Sequence, residues 1–186
     1  MSFEGILSDI KVLDFSTLLP GPLASLFLSE MGAEVIKVER LKLGDEMRRK
    51  TPEIDGTNVS FAILNRGKKS IEIDLKNEFQ NEKLKKLIKE VDIVLEQFRP
   101  GVMKRLGLDY GSIKLINPKI IYVSITGYGQ EGPKSNFAGH DLNYISDTGL
   151  LSLSIGTREN PTLPPALIAD IAGGSYPAIL NILLAL

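Results

Sequence analysis

The chain has 186 residues, with 22 Lys+Arg against 23 Asp+Glu and a formal net charge of −1, so no field of one sign directs it toward nucleic acid or an anionic membrane surface. With no Cys and a single His, it holds no disulfide framework, thiolate nucleophile, Cys-ligated metal or His-cluster metal site, and any imidazole chemistry falls to His140. An apolar share of 43% and a charged share of 24% are those of a soluble globular protein long enough to bury one core.

Met1–Gly5 lacks a charged segment followed by an apolar one, so no secretory signal is visible and a cytoplasmic location is expected. Lys11–Phe15 is a short strand-like run, and Ser16–Pro22, with two prolines and a glycine, reads as a turn. Leu23–Met31 has helical apolar spacing and ends at Gly32; Glu34–Val38 follows as a second strand, which makes a parallel βαβ unit. Leu41–Asn58 is a charged, turn-rich loop, and Val59–Leu64 is a short apolar stretch. Lys69–Leu75 alternates as a half-buried strand, and Asn77–Val91 repeats Phe79, Leu84, Leu87, Ile88 and Val91 at helical spacing. Asp92–Leu95 and Ile120–Ile125 are strands; Met103–Leu108, Tyr110–Ile116 and Leu142–Leu151 are helical. Gly156–Pro165 is a proline-rich loop, and one long helix is predicted from Ala166 to Leu186. Its end, Tyr176–Leu186, is apolar but too short for a membrane span of about 20 residues. It has no basic last turn or Gly cap, an ending expected of a fragment or a first half. Strands alternating with helices give an α/β fold with a mostly parallel, Rossmann-like sheet.

Gly127-Tyr128-Gly129-Gln130-Glu131-Gly132 fits the dinucleotide fingerprint, with Asp147 where a ribose-binding acid belongs. The fingerprint needs its third glycine inside a starting helix, and Pro133–Gly139 is poor helix sequence, so a loop that lets backbone approach something closely is the better reading. The N-terminal βαβ unit has the converse fault: Glu39 ends its second strand, but its first turn has one glycine rather than three. A nicotinamide or flavin cofactor is therefore not expected. The basic clusters Arg40/Lys42, Arg48/Arg49/Lys50, Lys68/Lys69 and Lys104/Arg105 read as solvated faces. Arg40 and Arg99 differ: both lie just past a strand's carboxyl end, where α/β sheets bind ligands, and an arginine fork matches phosphate. His140 approaches a helix through a glycine-rich loop, with Asp141 beside it to orient the ring; a surface or structural histidine is the alternative. Asp170 sits in the otherwise apolar Leu167–Ala172. It is either a helix cap satisfied by backbone N–H groups or a buried carboxyl with a raised pKa.

These residues together resemble the N-terminal half of a family III CoA-transferase/racemase. The matching segments run the length of the chain: Val12–Phe15 through Pro20-Gly21-Pro22, Gly32–Arg40, Asn65–Lys76, Glu96–Val102, Asn117–Tyr122, Gly127–Pro133, Ala138–Tyr144, and Ala169-Asp170 with Gly173-Gly174. The resemblance implies an acyl-CoA thioester ligand, with coenzyme A as part of the substrate and no prosthetic group, metal, nucleic acid or membrane. It implies CoA contacts at Arg40, Ile73, Asp74, Leu75, Lys76, Phe98, Arg99 and Arg105, with Gly139, Asp141, Leu142, Asn143 and Tyr144 nearer the thioester. In the racemase branch, which epimerises 2-methylacyl-CoA thioesters, the histidine and aspartate matching His140 and Asp170 work on opposite faces of the α-carbon. In the transferase branch the aspartate matching Asp170 is the nucleophile. The resemblance further implies a chain about twice as long, with a second smaller domain, and an interlocked homodimer. Racemisation needs two proton-transfer groups workable near neutral pH and donors for the enolate oxygen, which backbone N–H groups at the start of the Ala166–Leu186 helix are expected to supply.

Overall fold

The computed structural model describes residues 5–154 and 156–186. In chain order the elements begin with β1 (Lys11–Asp14), α1 (Pro20–Glu30) and β2 (Glu34–Arg40). The two-residue hairpin strands β3 (Glu53–Ile54) and β4 (Thr57–Asn58) lie within the charged loop and lead into α2 (Val59–Asn65). Then come β5 (Lys69–Ile73), α3 (Glu78–Ile88), β6 (Ile93–Glu96), the short helices α4 (Val102–Arg105) and α5 (Tyr110–Lys114), and β7 (Ile121–Ser124). The chain closes with α6 (Asp141–Asp147), a 3-10 turn at Leu150–Leu153, a π-helical segment at Ala169–Ser175, and α7 (Tyr176–Ala185).

Five strands form one sheet in the order β5-β2-β1-β6-β7, every pairing parallel. Its central strands read as unbroken apolar runs because both faces are covered: Val12 and Leu13 in β1, and Ile93, Val94 and Leu95 in β6, are all 0% exposed. On one face Leu84 and Ile88 of α3, Met103 and Ile113 pack with Leu13 and Val94. On the other, Leu28 of α1 and Ile182 of α7 pack with Val12, Val35 and Ile93. The result is three layers, helices on both sides of a parallel sheet. No helix among the described residues is long and apolar enough to cross a membrane.

The helix expected over Leu142–Leu151 stops at Asp147, before Gly149 in the left-handed region (φ +79°), and two further boundaries that bear on the site also differ from the sequence expectation. The segment read as a turn opens α1, with Pro20 and Pro22 in its first turn, where a missing N–H costs no intrahelical bond. The single helix expected over Ala166–Leu186 starts at Ala169, and its first two turns are π-helical. Pro177 cannot donate to the carbonyl four residues back, at Gly173, and its ring would crowd that carbonyl; the wider π turn relieves both.

Candidate active site

Because the strands are parallel, all five carboxyl ends share one edge of the sheet. The strand order changes direction between β1 and β6, and a crevice at such a switch point is where open α/β sheets take ligands. A cavity of about 590 Å³ opens there. Leu18 and Leu19 after β1, Phe98 and Arg99 after β6, and Thr126 and Gly127 after β7 line it. Gly139, His140 and Tyr144 form one further wall, and Asp170 and Gly174 another. His140 and Asp170, thirty residues apart in sequence, thus face one space.

His140 is the residue before α6, with extended backbone; its N–H donates to the Asn143 side chain at 2.9 Å, and its carbonyl accepts from the Asn143 N–H at 2.9 Å. The turn is held by its own backbone and Asn143, and the exposed His140 lines the cavity. Asp141 does not orient that ring through a hydrogen bond. It is 4% exposed, and its carboxylate accepts the backbone N–H of Asp170 at 2.9 Å. That N–H is therefore not a free oxyanion donor, and the next one, at Ile171, is bonded to the Leu167 carbonyl. Asp170 sits second in the π segment, whose geometry recurs at functional sites. Burial, then the Asp141 charge, pushes its carboxyl above the usual aspartate range, against the opposing pull of His140. Burial and Asp170 together raise the Tyr144 phenol, which Arg99 opposes.

The glycine loop is explained by Tyr144. A Cβ on Gly127 would lie 2.3 Å from the Tyr144 hydroxyl oxygen, and one on Gly139 would lie 2.6 Å from its ring. The Tyr144 hydroxyl donates to the Gly139 carbonyl at 2.7 Å. No helix follows Gly132, so the dinucleotide reading fails structurally, and the approach the glycines permit is that of a tyrosine.

The remaining expected contacts divide by position. Phe98 and Arg99 line the 590 Å³ cavity. Arg99 also borders a second cavity of about 460 Å³ with Glu96, Tyr110 and Tyr122. Arg40 and Ile73 lie opposite each other in the β2–β5 register, so Arg40 and Ile73–Lys76 come together on the same sheet edge but outside the cavity lining. There Asp74 accepts from the Lys76 N–H at 3.0 Å, and Ile73 and Leu75 pack against the core. Arg105 ends α4, exposed, beside Gly101. Leu142 and Asn143 do not line the cavity: Leu142 is 44% exposed, and Asn143 serves the turn.

Sequence reasoning missed a buried polar cluster tied to the loop after β1. Lys37, inside β2 and 1% exposed, pairs with Asp45 at 2.9 Å and donates to the Ser16 carbonyl at 2.8 Å. Asp45 also accepts the N–H of Leu18 at 3.2 Å, a residue held in the left-handed region (φ +62°) on the cavity wall. A non-glycine residue there costs roughly 1–2 kcal/mol, which the Asp45 anchor offsets. Buried Asp14 lies 3.5 Å from Lys68; burial alone would raise it, but Lys37 and Lys68, with hydrogen bonds from Ser16 and Ser25, together outweigh that and hold it below the usual range. Burial lowers Lys68 to about 8, against the Asp14 charge. Glu39, placed by its sequence position as a possible ribose-binding acid, is 4% exposed and occupied by Arg48 at 2.7 and 2.6 Å and by Ser70. Among the described residues no cluster of three or more His, Asp or Glu is arranged to hold a metal ion.

The family profile described as CoA-transferase family III matches residues 7–186. The chain is 40% identical over 177 residues to the succinate–glutarate CoA-transferase of Agrobacterium fabrum, covering 91% of this chain and 44% of the relative. It is 37% identical over 180 residues to the alpha-methylacyl-CoA racemase of Homo sapiens, covering 97% of this chain and 44% of the relative. A crystal structure of a CAIB/BAIF family protein from Brucella suis superposes with a TM-score of 0.91 at 35% identity, covering 98% of this chain and 49% of that one. The chain thus spans under half the length of these curated relatives.

Proposed function

The chain belongs to CoA-transferase family III, and from that premise we propose that its protein epimerises 2-methylacyl-CoA thioesters, with His140 and Asp170 as the two proton-transfer groups. The observation that carries the reading is that these two side chains line one cavity at the sheet's switch point. One group removes the α-proton, leaving an enolate conjugated with the thioester carbonyl. The other delivers a proton to the opposite face, which inverts the centre. An imidazole titrates near neutral pH unaided. A carboxyl becomes a competent partner when its pKa is raised, and burial together with Asp141 raises that of Asp170. The CoA portion extends along the carboxyl edge past Arg99 toward Arg40, Arg105 and Ile73–Lys76, with arginine forks suited to its phosphates. We assign residues 1–186 to the CoA-binding α/β domain of a longer protein with a second, smaller domain, acting as a homodimer.

A second reading has one specific support: an identity of 40% to a CoA-transferase. There the Asp170 carboxylate attacks the donor's thioester carbonyl, releases CoA thiolate and forms a mixed anhydride. The thiolate then attacks the aspartyl carbonyl, giving an aspartyl-CoA thioester and the free acid. The two readings separate in deuterium oxide with the protein in its full natural length. Epimerisation predicts α-deuterium incorporation from a single 2-methylacyl-CoA with no acceptor acid. Transfer predicts none, with Asp170 instead trapped by hydroxylamine in the presence of a donor thioester.

A further inference from the structure

Asp141 is a buried acid that neither proton-transfer step uses, and it is the bond between the two turns that carry those steps. Its backbone adjoins His140, whose turn is fixed by Asn143. Its side chain crosses to the other turn and accepts the Asp170 N–H at 2.9 Å, across 29 residues of sequence. The Asp170 side of the bridge is anchored independently: the Ser175 hydroxyl lies 2.8 Å from the Pro20 carbonyl and 3.2 Å from the Asp170 carbonyl. A carboxylate 4% exposed is costly unless its lone pairs are satisfied, and none of the salt bridges among the described residues reaches Asp141. Its charge acts on Asp170 across the two turns.

We propose that Asp141 is a positioning residue, which fixes the spacing of His140 and Asp170 by holding the Asp170 backbone across the two turns. This rests on the reading of His140 and Asp170 given above. The same carboxylate performs a second task without touching substrate. Its uncompensated charge faces Asp170 and favours the protonated acid, with His140 opposing it from the same turn and Tyr144 and Arg99 facing the group from the cavity walls. Spacing depends on an acceptor atom, whereas the electrostatic task depends on a charge. The two are therefore separable by substitution.

Asp141→Asn keeps an acceptor oxygen and loses the charge; Asp141→Ala loses both. In the protein at its full natural length, the hydrogen-exchange protection of the Asp170 amide and the NMR titration of its carboxyl report without any turnover. Asp141→Asn is expected to keep the amide protection within about threefold and to move the Asp170 titration downward, with the acid limb of the α-proton exchange profile following it. Asp141→Ala is expected to lower the amide protection about tenfold or more and to depress kcat with little change in KM. Unmoved Asp170 titration in Asp141→Asn, or unmoved amide protection in Asp141→Ala, overturns the proposal. Should Asp141→Ala not fold, Asp141→Ser, whose shorter side chain ends short of the Asp170 amide, takes its place with the same expected loss of amide protection. Epimerisation surviving in both His140→Ala and Asp170→Asn would instead overturn the proton-transfer reading, leaving the two NMR readouts to judge the Asp141 bridge.

Discussion

The single histidine of the chain and the one acid of its apolar Leu167–Ala172 run line one cavity. What Asp141 does was not legible: a sequence puts it beside His140, but its hydrogen bond goes to a residue 29 positions away. Lys37 and Asp45 were illegible for the same reason, since a charge within a strand reads as solvent-facing until its tertiary partner is known. Glu39 gives a residue-scale prediction. Burial would raise its carboxyl, but hydrogen bonds from Arg48 and Ser70 outweigh that and hold it at about 2, against 4.5 when free. A folded pKa below the unfolded one stabilises above the unfolded value and loses that contribution as pH falls. Arg48→Ala should therefore lower stability by about 2 kcal/mol at pH 7. In urea unfolding, the gap to wild type should close as pH falls from 4.5 toward 2. A gap that stays constant across that range would mean Arg48 acts by packing on Phe61, over whose ring it lies at 3.8 Å.

At the scale of elements, the strands and the long periodic helix α3 were readable because period and apolarity agree there. The errors came where proline and glycine change meaning with position. Pro20-Gly21-Pro22 looks like a turn and is a helix start; Gly173-Gly174 and Pro177 look like the middle of a helix and make a π segment. The glycines of these two elements are expected to differ. A Cβ on Gly21 would meet the Ser16 Cβ at 2.1 Å, in the packed turn that also bonds Gln97. Gly21→Ala should lose about 2–3 kcal/mol or more in thermal unfolding. Gly173 lines the cavity with nothing within 4 Å of a built Cβ. Gly173→Ala should keep or slightly raise the melting temperature, since alanine favours the helical backbone, while it weakens acyl-CoA binding measured by calorimetry. Loss of fold in Gly173→Ala with binding intact in the folded fraction would contradict this.

At the scale of the whole molecule, the near-neutral charge sum conceals an uneven distribution. Lys37 and Lys68 are paired with buried Asp45 and Asp14, whereas Arg40, Lys76, Arg99 and Arg105 are exposed along the carboxyl edge. The sheet order supplies that edge, and α7 secures it from behind: Ile182 is fully buried against the β1 face, and Ser175 links the π segment to Pro20. Ile182→Ala should cost about 2–4 kcal/mol and weaken acyl-CoA binding with it, because the Asp170 turn loses its support. Unchanged affinity in a measurably destabilised variant would show that the site is held without α7.

If two different residues serve the two faces of one α-carbon, enantiomer-resolved exchange separates them. Each enantiomer of a 2-methylacyl-CoA is incubated in deuterium oxide with His140→Ala and with Asp170→Asn, and α-deuterium and configuration are followed together. Both variants should lose epimerisation by about 100-fold or more. Each should retain exchange, without inversion, for one enantiomer only, and the favoured enantiomer should be opposite in the two variants. Equal exchange of both enantiomers by either variant, or epimerisation surviving in His140→Ala, would contradict it.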